Sequence, residues 1–294
     1  MRDISVEGLD LIGAGANGRV YRLNEEQIVK VYNPLTNPYE KIEREKRAAR
    51  AAFTHGIPTA ISFDIVRVGS EYGMVYELLN AKTLGATIEE DPTHAEEYAA
   101  RMTDLLKKLH RTVFTDGEPP DARLSLHTWA DIAGRSGYYA TEVMERLHRF
   151  IDDIPARDTF IHGDFHPGNI MVSKGELFLI DMGDASVGHP IIDLLGAYQI
   201  MKVAAERPGG SMRYMGLSAG LAETVWNSFL SGYFETDDPE RLKRLEQGLR
   251  FYCLIRSFAG ITFSELVPDE ERRSIAAQIS SVFIGQADHV KLPF

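Results

Sequence analysis

The sequence predicts an α+β fold in two unequal parts: a small antiparallel β-sheet with one helix over about the first eighty residues, then a larger, mainly helical remainder. Three observations predict it. Before residue 80, short apolar runs alternate with Gly, Pro and Asn turns, and a single amphipathic stretch lies among them. After residue 80, apolar residues recur at helical spacing almost to the C-terminus. Within that second part, residues 160–184 set Asp164, Asn169 and Asp181 around a short hairpin, more polar chemistry than a fold needs for itself.

In chain order, residues 9–12, 20–23 and 28–32 read as strands, with Gly13-Ala14-Gly15-Ala16-Asn17-Gly18 joining the first two and Asn24-Glu25-Glu26 the next. A Gly-x-Gly-x-x-Gly that binds a dinucleotide opens a helix. Here a strand follows, so Gly13, Gly15 and Gly18 read either as a loop whose bare backbone N–H groups approach phosphates or as a plain Gly-rich hairpin. Lys30 is a charge inside an apolar strand and is costly there without a partner. Pro34 and Pro38 end that strand, and residues 39–54 read as a helix ending near Gly56. Ile42, Glu45, Ala49 and Ala52 form its inner face, whereas Glu43, Arg47 and Arg50 face outward. Glu45 is therefore an inward acid, paired either with Lys30 or with Lys41 on the helix surface. Residues 61–68 and 73–79, joined at Gly69-Ser70-Glu71, read as the last strands of the small part.

The larger part begins with an amphipathic helix over 93–114, capped by Asp91 or Thr93, with Tyr98, Met102, Leu105, Leu106 and Leu109 on one face. His110 reads as a packed or capping residue. Helices over 124–133 and 138–150 follow Pro119-Pro120 and carry Trp129, Asp131, Tyr138, Tyr139 and Glu142. Residues 170–172 and 177–180 then read as a hairpin turning at Ser173-Lys174-Gly175-Glu176, with Asp164 and Asn169 on its entry and Asp181 on its exit. Hard cations such as Mg²⁺ take carboxylate and amide oxygens and complete their shell with substrate phosphates, which suits Asn169 and Asp181 as a metal pair. Asp164 is then free to orient or deprotonate a nucleophile. His162-x-Asp164-x-His166 also resembles a zinc constellation, although no further His or Cys cluster completes it. The remainder reads as helical, with breaks at Pro208-Gly209-Gly210, Asp237-Asp238-Pro239 and Pro268.

The run His162-Gly163-Asp164-Phe165-His166-Pro167-Gly168-Asn169, with Asp181, resembles the catalytic and metal-binding loops of the protein-kinase-like fold. In wording it is most similar to the aminoglycoside phosphotransferase and choline kinase branch, whose members phosphorylate small molecules. The resemblance covers roughly residues 9–200 and implies a bilobal protein-kinase-like fold. Residues 1–79 would be the nucleotide-binding lobe and 80–294 the catalytic and acceptor-binding lobe. It implies that Gly13, Gly15 and Gly18 cover the phosphates of ATP or GTP and that Lys30, held by Glu45, contacts them. It also implies that the backbone of Glu77 to Leu79 bonds the base, that Asp164 accepts the acceptor hydroxyl proton, and that Asn169 and Asp181 hold Mg²⁺. His162 then braces the loop, and His166 touches the transferred phosphate or shapes the loop. A protein kinase carries a long activation segment here. This chain passes from Asp181-Met182-Gly183 to His189-Pro190-Ile191-Ile192-Asp193-Leu194 with no room for a peptide platform. That short link resembles the small-molecule branch, where the residue matching Asp193 is structural, buttressing the catalytic loop or capping the next helix.

Composition sets the outer bounds. With 44% hydrophobic residues among 294, the chain should be globular throughout. Residues 1–5 hold no apolar run, and no stretch approaches the eighteen or so uncharged apolar residues of a membrane span, so a cytoplasmic protein without a membrane partner is expected. The single cysteine, Cys253, excludes an intrachain disulfide and a cysteine-based metal cluster. Of the net charge of -11, residues 81–294 carry most, with 22 Lys/Arg against 32 Asp/Glu. Such a field disfavours nucleic acid and favours cationic ligands, or simply serves solubility. No obligate protein partner is evident. The expected function is a Mg²⁺-dependent kinase passing the γ-phosphate of ATP or GTP to a hydroxyl of a small acceptor, cationic in the aminoglycoside- or choline-like case. The alternatives are a non-catalytic nucleotide-binding regulator on the same fold, and transfer of a nucleotidyl group by the same residues.

Overall fold

The computed structural model describes residues 1–15, 17–114, 119–207, 209–262 and 267–293. Strands β1 (Leu11–Gly15), β2 (Gly18–Arg22), β3 (Gln27–Tyr32), β4 (Ser62–Val68) and β5 (Glu71–Glu77) form one antiparallel sheet in the order β1-β2-β3-β5-β4. Period-two patterning divides its faces: Val29, Val31, Val66, Val68 and Val75 pack on one side. Tyr32 and Met74 meet Ile42 of helix α1 (Tyr39–Thr54) on the other. Glu45 lies on the buried face of α1, as its spacing predicts.

The expected six-residue glycine loop is shorter than the motif suggests. Gly13 and Gly15 lie in β1, and Gly15 pairs with Gly18 of β2, leaving a turn at Asn17; Ala16 falls outside the described residues. Gly18 has no substitute there, because its φ is 153° and a Cβ would stand 2.1 Å from the Val31 carbonyl oxygen. Gly15 has nothing within 4 Å of an added Cβ, so the protein itself does not demand a glycine at that point.

The chain continues through β6 (Lys82–Thr83), α2 (Leu84–Glu90), α3 (Ala95–Arg111), α4 (Ala122–Arg135), α5 (Thr141–Asp152), β7 (Phe160–Ile161), β8 (Ile170–Ser173), β9 (Glu176–Leu179) and β10 (Ser186–Val187). It ends with α6 (Ile191–Tyr198), α7 (Gly210–Met215), α8 (Ala219–Phe234), α9 (Pro239–Thr262) and α10 (Asp269–Gln286). The helix expected over 93–114 is shorter at both ends. Asp91 caps a separate 3₁₀ turn, accepting the Thr93 N–H at 3.3 Å, and Val113 is drawn into a bridge with Thr159. The helix expected from 124 starts earlier because the Asp121 carboxylate accepts the Arg123 N–H at 2.8 Å. The one expected from 138 waits until Thr141, after Gly137 at φ 74°. A π-helical stretch, Gln199–Ala204, extends α6 and leaves no mark in apolar spacing. Pro208 lies outside the described residues, whereas Pro239 opens α9 and Pro268 precedes α10, as their missing N–H groups favour.

One continuous core runs from Ala49 and Ala52 of α1 through Leu106, Phe165, Leu179 and Trp226 to Phe258 and Phe283. Cys253 belongs to it; its thiol, pushed up to about 12 by burial, meets Gln199 Oε1 at 2.8 Å. The sheet is stitched to the helical part at residues 58–60: Leu179 N–H donates to Pro58 O at 2.8 Å, and Thr59 Oγ1 donates to Leu179 O at 3.0 Å. That seam lies beside Asp181. No helix among the described residues is long and apolar enough to cross a membrane.

Candidate active site

Strands β8 and β9 pair from Ile170↔Leu179 to Ser173↔Glu176, and the two turn residues, Lys174 and Gly175, have φ of 49° and 82°. Positive φ at both central residues matches the right-handed twist of the flanking strands and fixes the register. The hairpin therefore carries the loop before it and the loop after it to one end. On the entry side a 3₁₀ turn, Pro167–Asn169, presents Asn169. Its amide nitrogen donates to the backbone oxygen and to Oδ2 of Asp164, both at 2.9 Å, which leaves its side-chain oxygen as an acceptor. On the exit side Asp181 sits in the left-handed region at φ 60°, a conformation costly outside glycine and held here by its partners.

Those partners are cationic or N–H donors. Lys30 Nζ lies 2.9 Å from Asp181 Oδ1 and 3.1 Å from Glu45 Oε1, and Asn17 Nδ2 donates to Asp181 Oδ2 at 3.1 Å. Burial alone would lower the Lys30 ammonium, but the carboxylates of Glu45 and Asp181 outweigh it and hold it above the usual lysine value, so Lys30 is charged. Burial likewise opposes ionisation of Asp181, and the Lys30 charge with the bonds from Lys30 and Asn17 overcomes it. Glu45 is also fixed by the Tyr76 hydroxyl at 2.7 Å, which is itself 3.1 Å from the Tyr32 hydroxyl. The surface alternative for Glu45 does not occur: Lys41 turns to Asp184 at 3.9 Å. A Cβ at Gly183 would come within 3.1 Å of Glu45 Oε2, so the residue two after Asp181 is kept small by this pair.

The Asp164 carboxylate stands 3.6 Å from His166 Nε2. Desolvation pushes it toward the neutral form, yet the His166 bond and charge, then Arg256 and His162, hold it well below the usual carboxylate range. It is thus an ionised hydrogen-bond acceptor. Its loop rests on Asp193, fully buried in α6, which accepts the N–H groups of His162 at 2.9 Å and Gly163 at 2.6 Å and pairs with His110 Nε2 at 3.1 Å. This is the buttressing role; the capping alternative fails, since α6 starts at Ile191 with Pro190 at its N-cap position and no side-chain cap. His162 braces the loop from within, accepting the Asp164 N–H at Nδ1 (3.2 Å) and meeting the Ile180 carbonyl through Nε2 at 3.0 Å. Both nitrogens being taken, the zinc alternative fails too, and no group of three or more His, Cys, Asp or Glu among the described residues is placed to hold a metal. The oxygen pair of Asn169 and Asp181 remains, and its donor chemistry suits Mg²⁺.

Replacing Asp193 by Ala would leave two buried amides and His110 without their acceptor, and should destabilise the fold by about 3–5 kcal/mol at neutral pH. Chemical denaturation measures this, and an unchanged midpoint would contradict the buttress. Since the Asp193 carboxyl is held below its usual value against its own burial, the stabilisation is present above the unfolded carboxylate pKa of about 4 and fades as pH falls through the folded value.

Two residues escaped the sequence reading. Asn17 sits in a glycine-rich turn where polarity is unremarkable. Arg256 of α9 donates from Nη2 to the Gly163 carbonyl while its guanidinium lies against Gly196 and 5.0 Å from the Trp129 ring centroid. Its position in Leu254-Ile255-Arg256-Ser257-Phe258 carries the same signal as Lys30, a charge in an apolar run. Of the aromatic and acidic residues carried by α4, α5 and the link between them, Tyr139 is buried with its hydroxyl on Phe258 O, Tyr138 turns to Asp269, and Asp131 to His148.

Lys30, Asp181 and Asn17 line the polar end of a cleft of about 840 Å³ between the five-stranded sheet and the β8–β9 hairpin, whereas Glu45, Asp164 and Asn169 are not among its lining residues. Its apolar end is formed by Ile12, Val20, Ile28, Met171 and Ile180, and the segment Tyr76 to Ala81 closes its side. Gly13, Gly15 and Gly18 all face it, as do Lys30, Glu77, Leu79 and Asp181. The volume is within the range of about 300–1,000 Å³ for small-molecule and cofactor sites.

A family model described as the phosphotransferase enzyme family matches residues 8–242. Among solved structures, the ADP-bound aminoglycoside phosphotransferase APH(2'')-Ib is 16% identical, with a TM-score of 0.61 over 95% of this chain and 93% of that one. The gentamicin complex of APH(2'')-IIa is 16% identical, with a TM-score of 0.59 over 93% and 90%. A choline/ethanolamine kinase family protein from Mesorhizobium loti is 17% identical, with a TM-score of 0.57 over 94% and 87%. At these identities the likeness shows the fold. No curated protein matches the chain.

Proposed function

The chain belongs to the phosphotransferase enzyme family, and from that premise we propose that it transfers the γ-phosphate of ATP or GTP to a hydroxyl of a small acceptor in a Mg²⁺-dependent reaction. One observation supports this reading: Lys30 and Asp181, 2.9 Å apart, line the polar end of a single nucleotide-sized cleft, with Glu45 bonded to Lys30 and the bonded pair Asp164 and Asn169 on the loop entering the hairpin that Asp181 leaves. Residues 1–79 serve as the nucleotide-binding lobe and 80–294 as the catalytic and acceptor-binding lobe. Gly13, Gly15 and Gly18 cover the phosphates; the open space at Gly15, unexplained by packing, is where a phosphate reaches the bare backbone. Lys30 contacts the phosphates with its charge intact. Asn169 Oδ1 and the Asp181 carboxylate would hold Mg²⁺, which would supply charge neutralisation for the phosphates.

Asp164 orients the acceptor hydroxyl through a hydrogen bond and receives its proton as transfer proceeds. Because its carboxyl lies well below neutral, positioning is its main contribution and proton transfer follows late. The partner is a small molecule, and the cytoplasm, where ATP and GTP are supplied, is the setting this reading requires. The test is Mg²⁺-dependent nucleotide turnover against a library of amino sugars, amino alcohols and sugars, with Asp164→Ala as control. A compound gaining one phosphate only with the unmutated protein establishes the activity and its acceptor class. A mass gain of a nucleotidyl group, or tight Mg·ATP binding with no product from any acceptor, favours the two alternatives in turn.

A further inference from the structure

The peptide that joins Gly163 to Asp164 is gripped at both ends. Its N–H, on Asp164, donates to His162 Nδ1 at 3.2 Å, and its carbonyl, on Gly163, accepts from Arg256 Nη2 of α9. The guanidinium that reaches it lies 5.0 Å from the Trp129 ring centroid on α4. On α6, a Cβ at Gly196 would stand 3.1 Å from its Nη1, 3.2 Å from Cζ and 3.3 Å from Nη2. Gly196 is buried inside α6, where glycine is a poor helix former. Its backbone is ordinary α-helix, and the three atoms nearest the missing side chain all belong to this guanidinium. Arg256 Nε, in contrast, is buried with no hydrogen-bond partner among the described residues. An unpaired buried donor costs stability, so a stabilising role explains Arg256 poorly.

We propose that Arg256 is a positioning residue for the transfer reaction: by holding the Gly163 carbonyl it fixes the peptide plane from which Asp164 projects, and Gly196 is the gap on α6 that admits it. This rests on the reading of Asp164 as the group that orients the acceptor hydroxyl. Gly163 has φ 85°, where a residue without a Cβ moves readily, and Asp193 ties only its N–H, at 2.6 Å. Without Arg256, the peptide that follows keeps only the 3.2 Å bond to His162. A tilt of that peptide carries the Asp164 carboxylate with it, and a misplacement of about 1 Å costs about 10²-fold in rate.

The test is Mg·ATP turnover by the full chain, with water as acceptor and with any library compound that gains a phosphate, beside nucleotide titration and chemical denaturation of each variant. Arg256→Met, unbranched and apolar, should lower turnover about 10- to 100-fold, hold Mg·ATP affinity within about twofold and leave the denaturation midpoint no lower. Arg256→Lys, which keeps a donor but not the planar fork, should recover part of the loss. Gly196→Ala displaces the guanidinium by a fraction of an ångström. It should cost about threefold to tenfold in turnover although alanine is the better helix former, and should add no loss to Arg256→Met. It stands in for Arg256→Met should that variant not fold. Unchanged turnover in Arg256→Met, or a loss matched by a lower midpoint or weaker nucleotide binding, overturns the positioning role. If the unmutated protein shows no turnover that Asp164→Ala removes, the reading of Asp164 fails instead.

Discussion

Asp164→Ala should lower turnover by about 10²- to 10⁴-fold while Mg·nucleotide affinity changes little. The geometry separates these effects. Asp164 touches His166 and Asn169, whereas the groups proposed to face the phosphates, Lys30 and Asp181, are held by Glu45 and Asn17. Removing its carboxylate would therefore take away the proposed acceptor for the substrate hydroxyl and leave the Lys30 and Asp181 charges in place. It also frees the Asn169 amide from its Oδ2 bond while its bond to the Asp164 backbone oxygen at 2.9 Å survives, so the loop keeps its shape. Steady-state turnover and nucleotide titration on the same preparation check the split. Equal turnover in the variant would sink the assignment, and a matching loss of nucleotide affinity would move Asp164 from positioning the acceptor to holding the metal.

What was legible in the sequence was local. Lys30 announced a partner because a strand otherwise apolar cannot bury an ammonium alone, and Glu45 announced the other half because three- and four-residue steps put an acid on the inner helix face. The spacing of Asp164, Asn169 and Asp181 around two short strands was enough to bring them to one end of a hairpin. What was not legible depends on chain reversals of many residues. Asp193 meets His110, 83 positions earlier, and Arg256 meets Gly163, 93 positions earlier; neither local pattern names the other. Asn17 closes on Asp181 only because Gly15 and Gly18 pair and tighten the turn between them. Glu77 was read for its backbone alone, and its side chain accepts the Ile61 N–H at 2.7 Å, a bond that no residue pattern records.

Asp181→Ala should abolish the Mg²⁺ dependence of nucleotide binding. Both Asp181 oxygens are engaged, Oδ1 by Lys30 and Oδ2 by Asn17. On the proposed reading a hard cation would take an oxygen of this carboxylate in place of the neutral Asn17 amide, while Lys30, paired with Glu45 at 3.1 Å, would keep its place. In the variant that exchange has no carboxylate to act on, and Asn169 alone offers one amide oxygen. Lys30 retains Glu45, so the fold and a weak, metal-independent affinity for the phosphates should persist. Titrating ATP with and without Mg²⁺ should give two well-separated affinities for the unmutated protein and one shared, weak affinity for Asp181→Ala. Tight Mg·ATP binding by the variant would remove Asp181 from the metal site and leave it as the counter-charge of Lys30, a role in which salt, rather than Mg²⁺, would set the nucleotide affinity.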